Sequence, residues 1–149
     1  MKITAKTRYA LRVLLDIAVH DGAGPRTIKE IAASQSISEK FISRIAVPLR
    51  RAGLLATERG ARGGLELARF PDQISLLDIQ EAMEGTFGLL RCLARPGVCP
   101  RQGSCAADCA WRRVNDSFAE TLRGVRLSDV VEDHRRLAAD GGGGAEYCI

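Results

Sequence analysis

Aromatic residues are scarce: one Trp, two Tyr and four Phe in 149 residues. A core built from this chain must be mostly aliphatic. Histidine is scarcer still, with only His20 and His134. No nucleophile–base pair and no Walker-type glycine loop accompanies them, so the chain is not expected to be an enzyme. No stretch approaches the ~20 apolar residues of a membrane span, and a cytoplasmic protein with no membrane partner is expected. Tight Cys-x-x-Cys pairs, the usual mark of structural zinc, are missing.

Cysteine itself is not missing. Four of the five thiols fall between Cys92 and Cys109, at Cys92, Cys99, Cys105 and Cys109. Pro96, Gly97, Pro100 and Gly103 lie between the first three, which predicts a loop there. A loop carrying three thiols can fold around one metal centre. In a cytosolic chain such clusters are more often metal ligands or redox sensors than disulfides. The fifth thiol, Cys148, sits in a glycine-rich tail and has no evident role.

The net charge of +4 conceals an asymmetry. Residues 1–70 carry 13 Lys/Arg against 6 Asp/Glu, and the remainder carries 9 against 12. A basic first half points to a polyanionic partner. Residues 8–20 show helical periodicity, with Lys6, Arg8 and Arg12 crowded at the start. Thr27 followed by Glu30 forms a capping box, and Ser38 is the cap of the next helix. Two short helices joined by Gln35-Ser36-Ile37 make a helix-turn-helix. Pro48 predicts a kink or an end in the second helix. Leu54–Glu58 and Leu65–Ala68 read as two strands around the turn Arg59–Gly64, whose glycines allow close approach to a partner. A hairpin there makes a winged helix. Ser75 opens a further helix that stops at Gly85.

From about Ser104 a long helix is expected. Trp111, Val114, Phe118, Leu122 and Val125 recur at steps of three and four, close to a heptad seam. A helix docked on its own domain fits that stripe less well than a homodimer on paired half-sites. Leu127–Val131 reads as a short terminal element. The organisation expected is therefore a DNA-binding domain (1–85), a cysteine sensor loop (86–103), a dimerisation helix and terminal element (104–131) and a flexible tail (132–149). The fold class is mainly α with a small β-wing.

Several short runs together resemble the IscR/NsrR/RirA/CymR family of winged-helix transcription regulators. They are Met1–Lys6 with Arg8-Tyr9-Ala10, Ile31-Ala32 leading to Ile37-Ser38, Leu49–Leu54, Arg59-Gly60 with Gly63-Gly64, Leu77-Asp78-Ile79, and spaced cysteines ahead of a Trp. The resemblance implies a dimer that binds a double-stranded DNA operator. It also implies an iron–sulfur cluster, [2Fe–2S] or [4Fe–4S], on Cys92, Cys99 and Cys105. The fourth ligand departs from the family pattern. Asp108 stands where IscR has a His, and Arg8 stands where NsrR has an Asp from the partner chain. Thiolate is the usual cluster ligand, and a helix from Ser104 would put Cys109 one turn from Cys105. Cys109 is therefore preferred, with Asp108 the alternative.

The DNA-reading residues expected are Ser38, Lys40, Phe41, Ser43 and Arg44 on the second helix, with Arg59, Gly60 and Arg62 from the wing. Thr4, Lys6 and Tyr9 should meet the phosphate backbone. Ser43 replaces an acidic residue of IscR, so base preference should differ. The expected function is an operator-binding regulator switched by the cluster in response to iron, redox state or nitric oxide. A metal-free thiol switch is the alternative, and an iron–sulfur carrier or scaffold is the alternative of another class.

Overall fold

A computed structural model describes residues 3–58, 60 and 63–140. In chain order its elements are α1 (Ala5–Val19), α2 (Ile28–Gln35), α3 (Glu39–Arg51), β1 (Leu55–Glu58), β2 (Gly64–Leu67), a 3-10 turn (Pro71–Gln73), α4 (Leu76–Glu84), α5 (Arg91–Ala94), α6 (Ala106–Gly124) and α7 (Leu127–Ala139). The two strands pair antiparallel, Leu55 opposite Leu67 and Glu58 opposite Gly64. This is a mainly helical winged helix.

Local signals set the helix starts. The Thr27 hydroxyl accepts the Glu30 N–H at 3.2 Å, and the Glu30 carboxylate accepts the Thr27 N–H at 2.8 Å. These bonds satisfy two of the orphan donors at the start of α2. Ser36 then takes a left-handed conformation, φ 53°, which ends α2 and turns the chain towards α3. The Ser38 hydroxyl accepts from the Phe41 N–H at 3.3 Å and opens α3.

Aliphatic side chains from these elements make one core. Val13, Leu14 and Ile17 of α1 meet Ile31 of α2 and Ile42, Ile45 and Leu49 of α3. Leu55 and Leu65 of the wing and Ile79 of α4 join it, and α7 closes it with Leu127 and Val131. A buried carboxylate ties the pieces together. Asp16 of α1 accepts from the Arg26 Nε and Nη2 at 3.2 Å each, from the Gln35 amide at 3.1 Å and from the Ser34 hydroxyl. Arg26 in turn exchanges two backbone hydrogen bonds with Leu65 of β2, at 2.9 and 2.8 Å. One carboxylate thus links α1, α2 and the wing.

The structure departs from the sequence expectations in three places. Of the kink or end expected at Pro48, the end does not occur there, and helix α3 runs on to Arg51. The missing N–H removes a single ladder bond, and buried Leu49 anchors the last turn against the core. The segment expected to be all loop contains α5, which holds Cys92. That helix stops at Arg95, which is extended because Pro96 follows it. Helix α7 continues beyond Val131 to Ala139, into the stretch expected to be a flexible tail. Its start is held by the Asp129 carboxylate accepting the Arg126 N–H at 2.8 Å, and its inner face is buried. Cys148 lies outside the described residues.

Candidate nucleic-acid interface and cysteine cavity

Helix α3 has two faces. Ile42, Ile45, Ala46 and Leu49 are buried, whereas Lys40, Ser43, Arg44, Val47 and Arg51 are exposed along the opposite side. Among the described residues neither Lys40 nor Arg44 has an ion-pair partner. The Ser43 hydroxyl donates to the Glu39 carbonyl at 2.8 Å. Phe41 does not share this face. It is half-buried and meets Tyr9 edge-on, ring centroids 5.4 Å apart. Tyr9 also lies under Arg12, whose guanidinium donates to the Gln35 carbonyl at 2.6 Å. Phe41 and Tyr9 therefore fix α3 on α1. Lys6 is exposed, and the Thr4 hydroxyl donates to Glu84 at 2.5 Å.

In the wing the Gly63 N–H donates to the Gly60 carbonyl at 3.0 Å. A side chain at Gly63 would place its Cβ 2.4 Å from the Glu58 carbonyl, so the turn closes only with glycine there. Gly60 is exposed. Arg59 and Arg62 lie outside the described residues.

Beyond α4 the chain is tied down by side chains onto backbone. Glu81 accepts the Phe87 N–H at 3.0 Å, and Asn115 of α6 accepts the Leu89 N–H at 3.0 Å. Two further turns, closed by Gln102 N–H to the Cys99 carbonyl and Ser104 N–H to the Arg101 carbonyl at 3.1 Å each, lead to Cys105. Cys92, Cys99 and Cys105 then line one cavity of about 230 Å³, with Leu90, Asp108 and Trp111 on its wall.

Cys109 is exposed and does not line this cavity. The reason lies in where α6 begins. Cys105 is its extended cap, φ −90° and ψ 109°, not a helical residue. The expectation that Cys109 shares a helical face with Cys105 assumes a helix already running through Cys105. Asp108, three residues past the cap, points back towards the N-terminus as helical side chains do, and the Arg112 Nε donates to it at 2.8 Å.

The donor set suits a soft metal centre. No three His, Cys, Asp or Glu side chains among the described residues are already grouped around a single ion. An iron–sulfur cluster distributes its thiolates over several irons, so thiols spaced around one apolar cavity fit it better than they fit a mononuclear ion.

Helix α6 packs against α4 but is thinly covered. None of its residues is buried. Trp111 and Phe118 are each 47% exposed, Val114 41% and Val125 36%. Leu122 alone of the stripe is half-buried, beside Ile3, Leu11, Leu76 and Ile79 in an apolar groove.

A family model described as Rrf2, iron-dependent transcriptional regulator, matches residues 3–133. The chain belongs to the Rrf2 family. The motifs set out above pointed to this same group. CymR of Bacillus subtilis is 34% identical over 131 residues, covering 88% of this chain and 90% of its own. Its solved structure, described as the global cysteine regulator of that organism, superposes with a TM-score of 0.71 and 32% identity, covering 89% of this chain and 97% of CymR. The IscR structure from T. potens gives 0.70 and 31%, covering 98% and 93%. Rrf2 relatives are transcription regulators, not enzymes, as expected here. Among the described residues no helix is long and apolar enough to cross a membrane.

Sequence reasoning missed the Asp16 clasp and the Glu81 and Asn115 anchors. They join residues six to 26 apart in sequence, and no local pattern marks them.

Proposed function

We propose that this Rrf2 regulator acts in the cytoplasm as a homodimer on a double-stranded operator. An iron–sulfur cluster, [2Fe–2S] or [4Fe–4S], held by Cys92, Cys99 and Cys105 switches its binding. The observation carrying this reading is the convergence of those thiols on one cavity. Asp108, on the same wall, is the residue we assign to the fourth position in place of Cys109. When bound, such a cluster would supply an iron- and redox-sensitive centre linking α5, the turn at Cys99 and the cap of α6.

The chain's own residues do the rest. The thiols must lose their protons to bind, which ties occupancy to pH and order in 86–103 to occupancy. That segment is anchored to α4 through Glu81 and to α6 through Asn115. Helix α4 is joined to α1 by the Thr7 hydroxyl on Gln80, 3.1 Å, and by Thr4 on Glu84. Order gained beside the cysteines therefore reaches α1 and the reading head of residues 1–85. There Lys6, Lys40 and Arg44 neutralise phosphates or meet bases, with Arg59 and Arg62 from the wing. The exposed stripe Trp111, Val114, Phe118 and Val125, with Leu122, pairs two chains.

The test is anaerobic purification with an absorption spectrum, iron and sulfide assays, and operator binding with and without the cofactor. Cys92→Ala, Cys99→Ala and Cys105→Ala should each abolish the visible absorption, and Cys109→Ala should keep it. Unchanged absorption in Cys92→Ala defeats the ligand assignment. Loss of colour in Cys109→Ala, with none in Asp108→Ala, returns the fourth position to Cys109. The metal-free thiol switch draws support from the similarity to a cysteine regulator. An iron-free protein whose DNA affinity still follows thiol oxidation would establish it.

A further inference from the structure

Val47 is the exposed residue on α3 that folding does not ask for. It is 43% exposed and takes no part in the core or among the side chains packed against it. Local preference also opposes it. A β-branched side chain is a mediocre helix former, and the residue before a proline is pushed out of the helical region, yet Val47 is helical and precedes Pro48. A polar residue there would suit solvent better.

Its position is informative. Val47 lies one turn from Ser43 and Arg44 and one turn before Arg51, in the middle of the basic face that carries Lys40. A methyl-bearing side chain set between cations on a recognition helix has one apolar feature to meet in the major groove. That feature is the C5-methyl of thymine, which no other standard base carries. We infer that Val47 is a specificity-determining residue that selects a thymine by packing against its 5-methyl group. Arg44 and Lys40 supply the polar contacts to neighbouring bases or phosphates. The inference rests on the reading of α3 as the DNA-reading helix and names what that helix reads.

The test first selects binding sequences for the wild-type protein from a random duplex pool. Each thymine of the selected site is then replaced singly by deoxyuridine, which pairs identically and lacks only the methyl. One such replacement per half-site should weaken wild-type binding about fourfold, the value of burying one methyl-sized group. Val47→Ala, an exposed truncation, should fold normally by thermal melting. It should bind thymine and deoxyuridine sites equally, while Lys40→Ala keeps the methyl sensitivity. If no deoxyuridine replacement matters, or Val47→Ala remains as sensitive as wild type, the inference fails although DNA reading stands. If no sequence is enriched at all, the DNA-reading assignment fails and takes the inference with it.

Discussion

The reading head and helix α6 solve the problem of stability in opposite ways. The head buries Leu14, Ile31, Ile42, Ile45 and Leu49 completely or nearly so, within one chain. Helix α6 runs for 19 residues and buries none of them. Most helical stability in proteins comes from packing one face of the helix. The head is thus packed within one chain, whereas α6 leaves most of its apolar stripe exposed. The cysteine cavity lies at the N-terminal end of α6, walled by Cys92 and Leu90 before it and by Asp108 and Trp111 of α6 itself.

That contrast can be broken from the head side first. Arg26→Ala leaves the buried Asp16 carboxylate without its cation and should cost about 3–5 kcal/mol of stability. Thermal melting should show the loss at any protein concentration. A loss that vanishes at high concentration would mean that the head, too, leans on a partner.

On the other side, Phe118→Ala should weaken self-association by about 2–4 kcal/mol if Phe118 is a central anchor of the pairing stripe. Sedimentation should show monomer at concentrations where wild type is dimer, with the head still folded by circular dichroism. An unchanged association constant would remove Phe118 from the interface.

The smallest effect sharpens the autonomy of the head. The Thr27 backbone N–H, then its hydroxyl, hold Glu30 below the ordinary carboxylate pKa; slight burial opposes them, and Arg26 and His20 assist. A group whose folded pKa is lowered adds stability above its unfolded pKa and loses it as pH falls towards the folded value. Glu30→Gln, which keeps an acceptor oxygen but no charge, should melt slightly below wild type at pH 7. The gap should close on acidification below pH ~4, the ordinary range for Glu. A gap that persists in acid would show that the charge plays no part in the cap.

Much of the fold was legible because its signals are local. Thr27 and Glu30, Ser38, the alternation of the wing and the stripe from Trp111 each act within a few residues, and each predicts an element that the structure contains. The site was legible only as a set of thiols. Placing Cys109 one turn from Cys105 assumes a helix already running at Ser104. The start at Ala106 turns Cys105 into a cap and brings Asp108 to the wall instead. That outcome depends on turns closed by Gln102 and Ser104 within the cysteine segment, which no periodicity reveals. Helix α7 was read too short because its outer face is polar, and its anchoring surface, beside the core's Leu127 and Val131, comes from elsewhere in the chain.

The backbone bonds between Arg26 and Leu65 have a mechanical consequence. They graft the hairpin onto the segment just ahead of α2, while the Arg26 side chain holds Asp16 of α1. The described strands of the hairpin are thereby tied both to α1 and to the start of α2. If α3 and the wing read DNA as proposed, a stimulus arriving from elsewhere should shift or tilt these elements together. Its signature in binding data would be a changed tolerance for the number of base pairs between half-sites, with the preferred letters inside each half-site left as they were.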